Sequence, residues 1–181
     1  MTVAPSSVRE EYLDRITQHV LDNGLGDSSL RRLAATAETS HQLLLYYFGS
    51  RDGVLGAVMG RLRHAESHEL VELASSRADA LDRIWTYYTA PARQLEMRLF
   101  FYLAGQALHD DGGSAEFASD VVKAWTDAFT SLGVAEGLTR RDAAADARLI
   151  TASLRGLLLD FLLTRDAAAT GEALARLRRL V

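Results

Sequence analysis

Along most of this chain apolar residues return every three or four positions, the spacing of amphipathic helices. Residues 7–23 carry Tyr12, Leu13, Ile16 and Val20 at turn spacing, and Asn23-Gly24 supplies a stop. After the turn "GDSS", Ser28 or Ser29 stands ready to cap "LRRLAATA", which sets Leu30, Leu33, Ala34 and Ala37 on one face. Glu38-Thr39-Ser40 breaks the pattern, and Ser40 can cap a third short helix, "HQLLLYYF". Gly49 ends that helix, and Ser50 caps a long fourth one expected from near Arg51 to about Ser76. Further helices are predicted over 78–89, over 92–109 after Pro91, over 115–132, over 139–164 and over 169–180. The 92–109 segment is apolar nearly all round (Leu95, Leu99, Phe100, Phe101, Leu103, Leu108), which places it centrally. No alternating β-branched run marks a strand, so the expected fold class is all-α.

One stretch does not fit simple amphipathicity. In "TSHQLLLYYFGSR", residues 39–51, three leucines, two tyrosines and a phenylalanine follow four hydrogen-bonding side chains. A helix, a tight break and a second short helix make a helix-turn-helix, whose second helix enters the DNA major groove with its N-terminal residues at the base edges. That geometry accounts for the mixture. Ser40, His41 and Gln42 can hydrogen-bond bases, and Gln suits adenine. Leu44 and Phe48, four apart, would pack on the preceding helices. Tyr46 and Tyr47 offer hydroxyls to phosphates, and Arg51, in the first turn of the next helix, can hold another. Leu43 and Leu45 could each meet a thymine methyl or pack inside.

Composition sharpens the picture in places. The 181 residues suffice for one large or two small cores, and 48% are hydrophobic, as in a folded protein. The net charge of −4 argues against a globally basic nucleic-acid binder, yet residues 29–63 hold five arginines against two acids, so a local positive patch coincides with the unusual stretch. There is no cysteine, which removes disulfides, cysteine metal sites and cysteine nucleophiles. With no signal-like N-terminal segment and no bilayer-length apolar run, the expected location is cytoplasmic, away from any membrane.

The segment "SLRRLAATAETSHQLLLYYFGSRDGVLGAVM", residues 29–59, resembles the DNA-binding module of TetR-family transcriptional regulators. The resemblance rests on the aromatic end of the third helix, the Gly/Ser-Arg start of the fourth and the apolar stripe after it, about a third of the chain. It implies a helix-turn-helix DNA-binding domain over 1–60 and a helical ligand-sensing and dimerising domain over 61–181. By position it assigns DNA contacts to Ser29, Arg31, Ser40, His41, Gln42, Leu43, Tyr46, Tyr47 and Arg51. The chain departs from the pattern at Glu38, where glycine is usual, and at Leu45, where a tyrosine is usual.

For the remainder, the resemblance implies a four-helix bundle across a two-fold axis, made by the last two helices of each copy. "LITASLRGLLLDFLL" is too apolar for one exposed face, which agrees with a homodimer. Trp85, Tyr88, Phe101, Tyr102, Gln106, Trp125 and Phe129 are candidate lining residues for a hydrophobic small-molecule effector, with Tyr102 and Gln106 the best polar pair; plain core packing is the competing role for each aromatic. His64 and His68 lie at zinc-binding spacing, but nothing nearby completes a ligand set, and a solvated face is favoured. Residues 109–111, "HDD", read as a loop, and "GVLGAVMG" as glycines for close helix packing. No catalytic constellation, metal site or cofactor motif is legible. The expected function is a ligand-responsive, dimeric regulator, most simply a repressor, binding a palindromic operator on double-stranded DNA. The alternative is an all-α enzyme or small-molecule-binding protein in which the helix pair is scaffold.

Overall fold

A computed structural model describes residues 5–26, 28–63, 73–108 and 113–181, leaving aside the side chains of 5, 6, 63 and 113–122. The described residues form nine α-helices and no strand: α1 (Pro5–Asn23), α2 (Leu30–Thr36), α3 (His41–Phe48), α4 (Arg51–Arg63), α5 (Arg77–Thr89), α6 (Gln94–Ala107), α7 (Gly113–Ala135), α8 (Arg140–Thr164) and α9 (Ala167–Arg178). A single 3-10 turn, Pro91–Arg93, leads into α6. The fourth helix was expected to reach Ser76; α4 is described to Arg63, and residues 64–72 lie outside the described residues together with His64, His68 and the 109–111 loop.

Helix starts are fixed by local chemistry. Ser29 accepts from the Arg32 N–H at 3.3 Å, Ser40 from the Leu43 N–H at 3.1 Å, and Ser50 from the Gly53 N–H at 2.9 Å. Ser76, Thr139 and Asp166 do the same for α5, α8 and α9. Each such cap is worth about 1 kcal/mol. Gly49 closes α3 at φ 75°, a conformation that costs glycine little. Of the glycines in "GVLGAVMG", Gly53 is required by close approach: a Cβ there would meet the Phe48 carbonyl oxygen at 2.0 Å, whereas one at Gly56 or Gly60 would meet nothing.

The first three helices pack on one another around Leu13, Ile16, Val20, Leu33, Leu44 and Phe48. α4 lies against α1 and α3 and continues against α6 and α7, so its Val54, Leu55, Val58 and Met59 join the two halves of one core. α7 packs chiefly on α8, and α9 closes against α8. α6 is buried through Met97, Leu99, Phe100 and Leu103, as its apolar sequence predicts, but Leu108, just past its end and expected in the same buried run, is 86% exposed.

One buried charge braces the second half. Arg77, 7% exposed, joins the start of α5 to the end of α7 through Glu136 at 2.5 Å and to α8 through Asp146 at 2.8 Å. Burial by itself would raise the Glu136 carboxyl; the Arg77 backbone N–H and guanidinium outweigh it and hold the carboxyl below its ordinary value of 4.5. A depressed carboxyl stabilises the fold above its unfolded pKa, and that contribution fades as pH falls through the lower folded value. Arg77→Met is expected to cost about 2 kcal/mol at pH 7, a value below that of a fully buried pair because both acids are partly exposed. Urea melts should show that gap shrinking as the pH is lowered below 4.5.

Candidate nucleic-acid interface and effector region

α3 divides by face. Leu44 and Phe48 are buried against α1 and α2, while His41, Gln42, Leu43 and Tyr46 point to solvent. Leu43 is 38% and Tyr46 79% exposed, unusual for side chains whose burial would contribute about 2 kcal/mol. Leu43 therefore belongs to the outer face, and Leu45 is half-buried. Tyr47 is also half-buried, its ring edge-on to both Tyr12 of α1 and Tyr46, with centroids 5.9 and 5.2 Å apart. Ser29, Arg31 and Ser40 are exposed beside this face. The two serine hydroxyls accept cap bonds and keep a proton to donate outward.

The turn between α2 and α3 holds Glu38 at φ 55°, the left-handed region in which an L residue costs about 1–2 kcal/mol. Glu38 is paired with Arg15 of α1 at 2.7 Å, and the same guanidinium donates to the Ala37 carbonyl at 3.3 Å. The turn is thereby tied to α1 by a guanidinium that also pairs with Glu11.

The positive patch is narrower than the sequence implies. Arg61 is engaged by Glu10 and Asp14 of α1. Arg51, expected to hold a phosphate, turns inward instead. Its Nε donates to the Ser28 carbonyl at 2.6 Å, Nη2 to the Ser28 hydroxyl at 2.7 Å, and Nη1 to Asp52 at 3.0 Å and to the Tyr102 hydroxyl. Burial explains the change: Ser28 is 3% exposed, and its carbonyl and hydroxyl oxygens both accept from the Arg51 guanidinium. Tyr102 and Gln106 do form the expected polar pair at 3.0 Å, but Arg51 is its third member. One hydrogen-bonded chain thus runs from the segment before α2, through the start of α4, to α6.

The aromatic candidates separate. Phe129 is fully enclosed, as a core residue is. Trp85 stands edge-on to Phe161 of α8 at 5.8 Å, and Phe101 lies against Phe100 at 5.1 Å. Tyr88 of α5 and Trp125 of α7 meet at 5.8 Å. The sequence reading did not single out Arg155 of α8, whose Cζ lies 5.2 Å from the ring centre of Trp125 and 5.3 Å from that of the buried Phe100.

A last surface runs along α8. Ala145, Leu149, Ala152, Gly156, Leu159 and Leu163 are all exposed and follow one another at three- and four-residue steps, so they share a face. Leu149 is 58% and Leu163 75% exposed. Among the described residues no helix is long and apolar enough to cross a membrane.

No family model and no curated protein matches the chain. Solved structures do. A TetR transcriptional regulator from Legionella pneumophila is 15% identical, with each chain covered completely and a TM-score of 0.68. The multidrug binding protein EbrR, complexed with proflavin, is 20% identical over 96% of this chain and 99% of its own, with a TM-score of 0.69. A protein from Saccharomonospora viridis described as a transcriptional regulator, in complex with choline, is 16% identical over 96% of this chain and 95% of its own, with a TM-score of 0.70. At these identities the likeness is one of fold: the chain has the all-α fold of TetR-type regulators along its whole length.

Proposed function

We propose that this chain is a dimeric, ligand-responsive transcriptional repressor of the TetR type, with residues 1–60 binding DNA and 61–181 sensing a small molecule and pairing two copies. The observation that carries the reading is the outer face of α3, where His41, Gln42 and Leu43, suited to base edges, and Tyr46, suited to a phosphate, are held in solvent by the buried Leu44 and Phe48. Gln42 and His41 read bases, Leu43 meets a thymine methyl, and Tyr46, Arg31 and the serine hydroxyls hold phosphates. Two such helices, about 34–36 Å apart on a two-fold axis, fit successive major grooves of a palindrome. The exposed stripe of α8 supports the pairing: leucines at its ends and Ala152 and Gly156 in the middle let a partner helix approach closely.

The proflavin and choline complexes of similarly folded proteins support a small-molecule effector, and an apolar one suits the aromatic side chains of α5, α6 and α7. The Arg51 network is the means of coupling. An effector that shifts α6 moves Tyr102, hence Arg51 and the Ser28 end of α2, and so alters the separation of the two α3 helices; such coupling is typically worth about 1–3 kcal/mol.

Selection of duplexes from a random library tests the reading, at fixed physiological salt with non-specific competitor, because phosphate contacts alone give salt-sensitive, sequence-blind binding. Recovery of a palindromic motif is expected. A folded dimer that enriches nothing sinks direct sequence recognition by the unliganded protein.

A further inference from the structure

The exposed stripe of α8 is symmetric along the chain. Ala152 and Gly156 stand two residues either side of Leu154, Leu149 and Leu159 five, and Ala145 and Leu163 nine. A two-fold axis perpendicular to a helix sets positions equally far from its centre at the same level of an antiparallel pair. About such an axis at the level of Leu154, the stripe meets a second copy of itself in register. Ala152 lies level with the partner's Gly156, Leu149 with the partner's Leu159, and Ala145 with the partner's Leu163. The small central layers let the two helix axes approach to about 8 Å.

Two charges flank the stripe with the same symmetry. Arg148 stands six residues before Leu154 on one edge, and Asp160 six residues after it on the other. Both are exposed. Neither has a charged residue three or four positions away on α8, where an in-helix partner would stand. Neither forms an ion pair among the described residues. Arg15, Arg61, Arg77 and Arg83, by contrast, are all paired within the chain. In the antiparallel pair Arg148 comes level with the partner's Asp160, about 9 Å along the helix from the axis. That level falls between the Leu149 and Ala145 layers, and the small Ala145 leaves room for the guanidinium stem to cross the seam. The two-fold repeats the contact at the other end. Like charges at mirror positions would repel in a pair of identical chains, whereas opposite charges favour it and disfavour a partner that lacks them.

We infer that the α8 stripe recognises a second copy of this chain in antiparallel register centred on Leu154, and that Arg148 and Asp160 select that copy over other chains of the same fold. The inference rests on the dimeric reading and deepens it by naming the register and the residues that choose the partner. The leucines supply contact area, and the charges decide whose leucines are accepted. Selection matters to a regulator because a mixed pair would carry two different α3 helices and fit no palindrome.

Subunit exchange between two fluorescently labelled samples of the full chain tests this, with sedimentation equilibrium to measure affinity. Arg148→Asp sets like charges level at both ends of the pair, and so does Asp160→Arg. Each variant alone should dimerise about a hundredfold or more weakly than the natural chain. Mixed one to one, the two variants regain opposite charges at both contacts and should recover affinity to within about threefold. The chain carrying both substitutions should pair with itself and refuse the natural chain. Both positions are exposed, so the monomer fold should survive each change, which helical content checks. Single variants that pair as tightly as the natural chain overturn the inference. So do a mixture no tighter than its components, free exchange between the doubly substituted and natural chains, and a natural chain that stays monomeric. Operator selection on the same samples separates the two ideas. A natural dimer that enriches no duplex sinks the regulator reading and leaves the pairing standing, whereas a palindrome selected by a chain whose single variants still pair sinks the register alone.

Discussion

Gln42→Ala combined with Tyr46→Ala is expected to abolish operator recognition while leaving the fold intact. Both side chains are exposed on α3, and Tyr46 meets Tyr47 edge-on at 5.2 Å, so stability should change by about 1 kcal/mol or less. A bidentate glutamine–adenine pair is worth about 1–3 kcal/mol of discrimination, and a dimer uses it twice. The double variant should therefore lose about a hundredfold or more in affinity for the selected duplex and bind it scarcely better than random DNA. Arg31→Ala makes the informative contrast. Removal of a phosphate contact should weaken binding to all sequences alike and flatten the salt dependence by about one contact per half-site. Fluorescence anisotropy across a salt series distinguishes these behaviours. Full operator affinity in the double variant would show that α3 is scaffold.

Leu149→Glu with Leu159→Glu should convert a dimer into a monomer. Both leucines stand on the exposed stripe of α8, at 58% and 39% exposure in the single chain, so two carboxylates there cost the monomer almost nothing. Buried in a partner helix's face they would be charges taken out of water without partners, at a cost of several kcal/mol per copy. Sedimentation should show one species at half the mass. Operator affinity should fall by about a thousandfold or more, since each monomer then pays its own association cost for one half-site instead of sharing it. A variant that still sediments as a dimer would place the interface elsewhere than on this stripe.

The parts of the candidate site that were legible in the sequence share a physical property: they are decided within one helical turn. The limits of α3 follow from Ser40, Gly49 and Ser50, because a cap side chain reaches only the backbone N–H groups two or three residues on and a left-handed cap needs no distant partner. The inward placing of Leu44 and Phe48 and the outward placing of His41, Gln42 and Tyr46 follow from helical periodicity in the same way. The apolar positions Met97, Leu99, Phe100 and Leu103 bring α6 into the core of the second half, while Leu108 at its end stands in solvent.

The tertiary structure decided where the long charged side chains go. Arg51 had a plausible phosphate beside it in sequence, but Ser28, 23 residues before it, and Tyr102, 51 residues after it, offer buried oxygens that need its donors. Arg61 is likewise claimed by α1, and Glu38, which stands where glycine is usual, by Arg15. Arg155 could not be assigned to the rings of Phe100 and Trp125 until α6 and α7 were brought together with α8. A guanidinium at the end of a flexible stem is placed by the fields and oxygens within its reach, and those are set by the packing of helices distant in the chain. Capping, turning and periodicity are local and were written in the sequence; the choice of partner for each arginine is not local, and only the assembled fold made it.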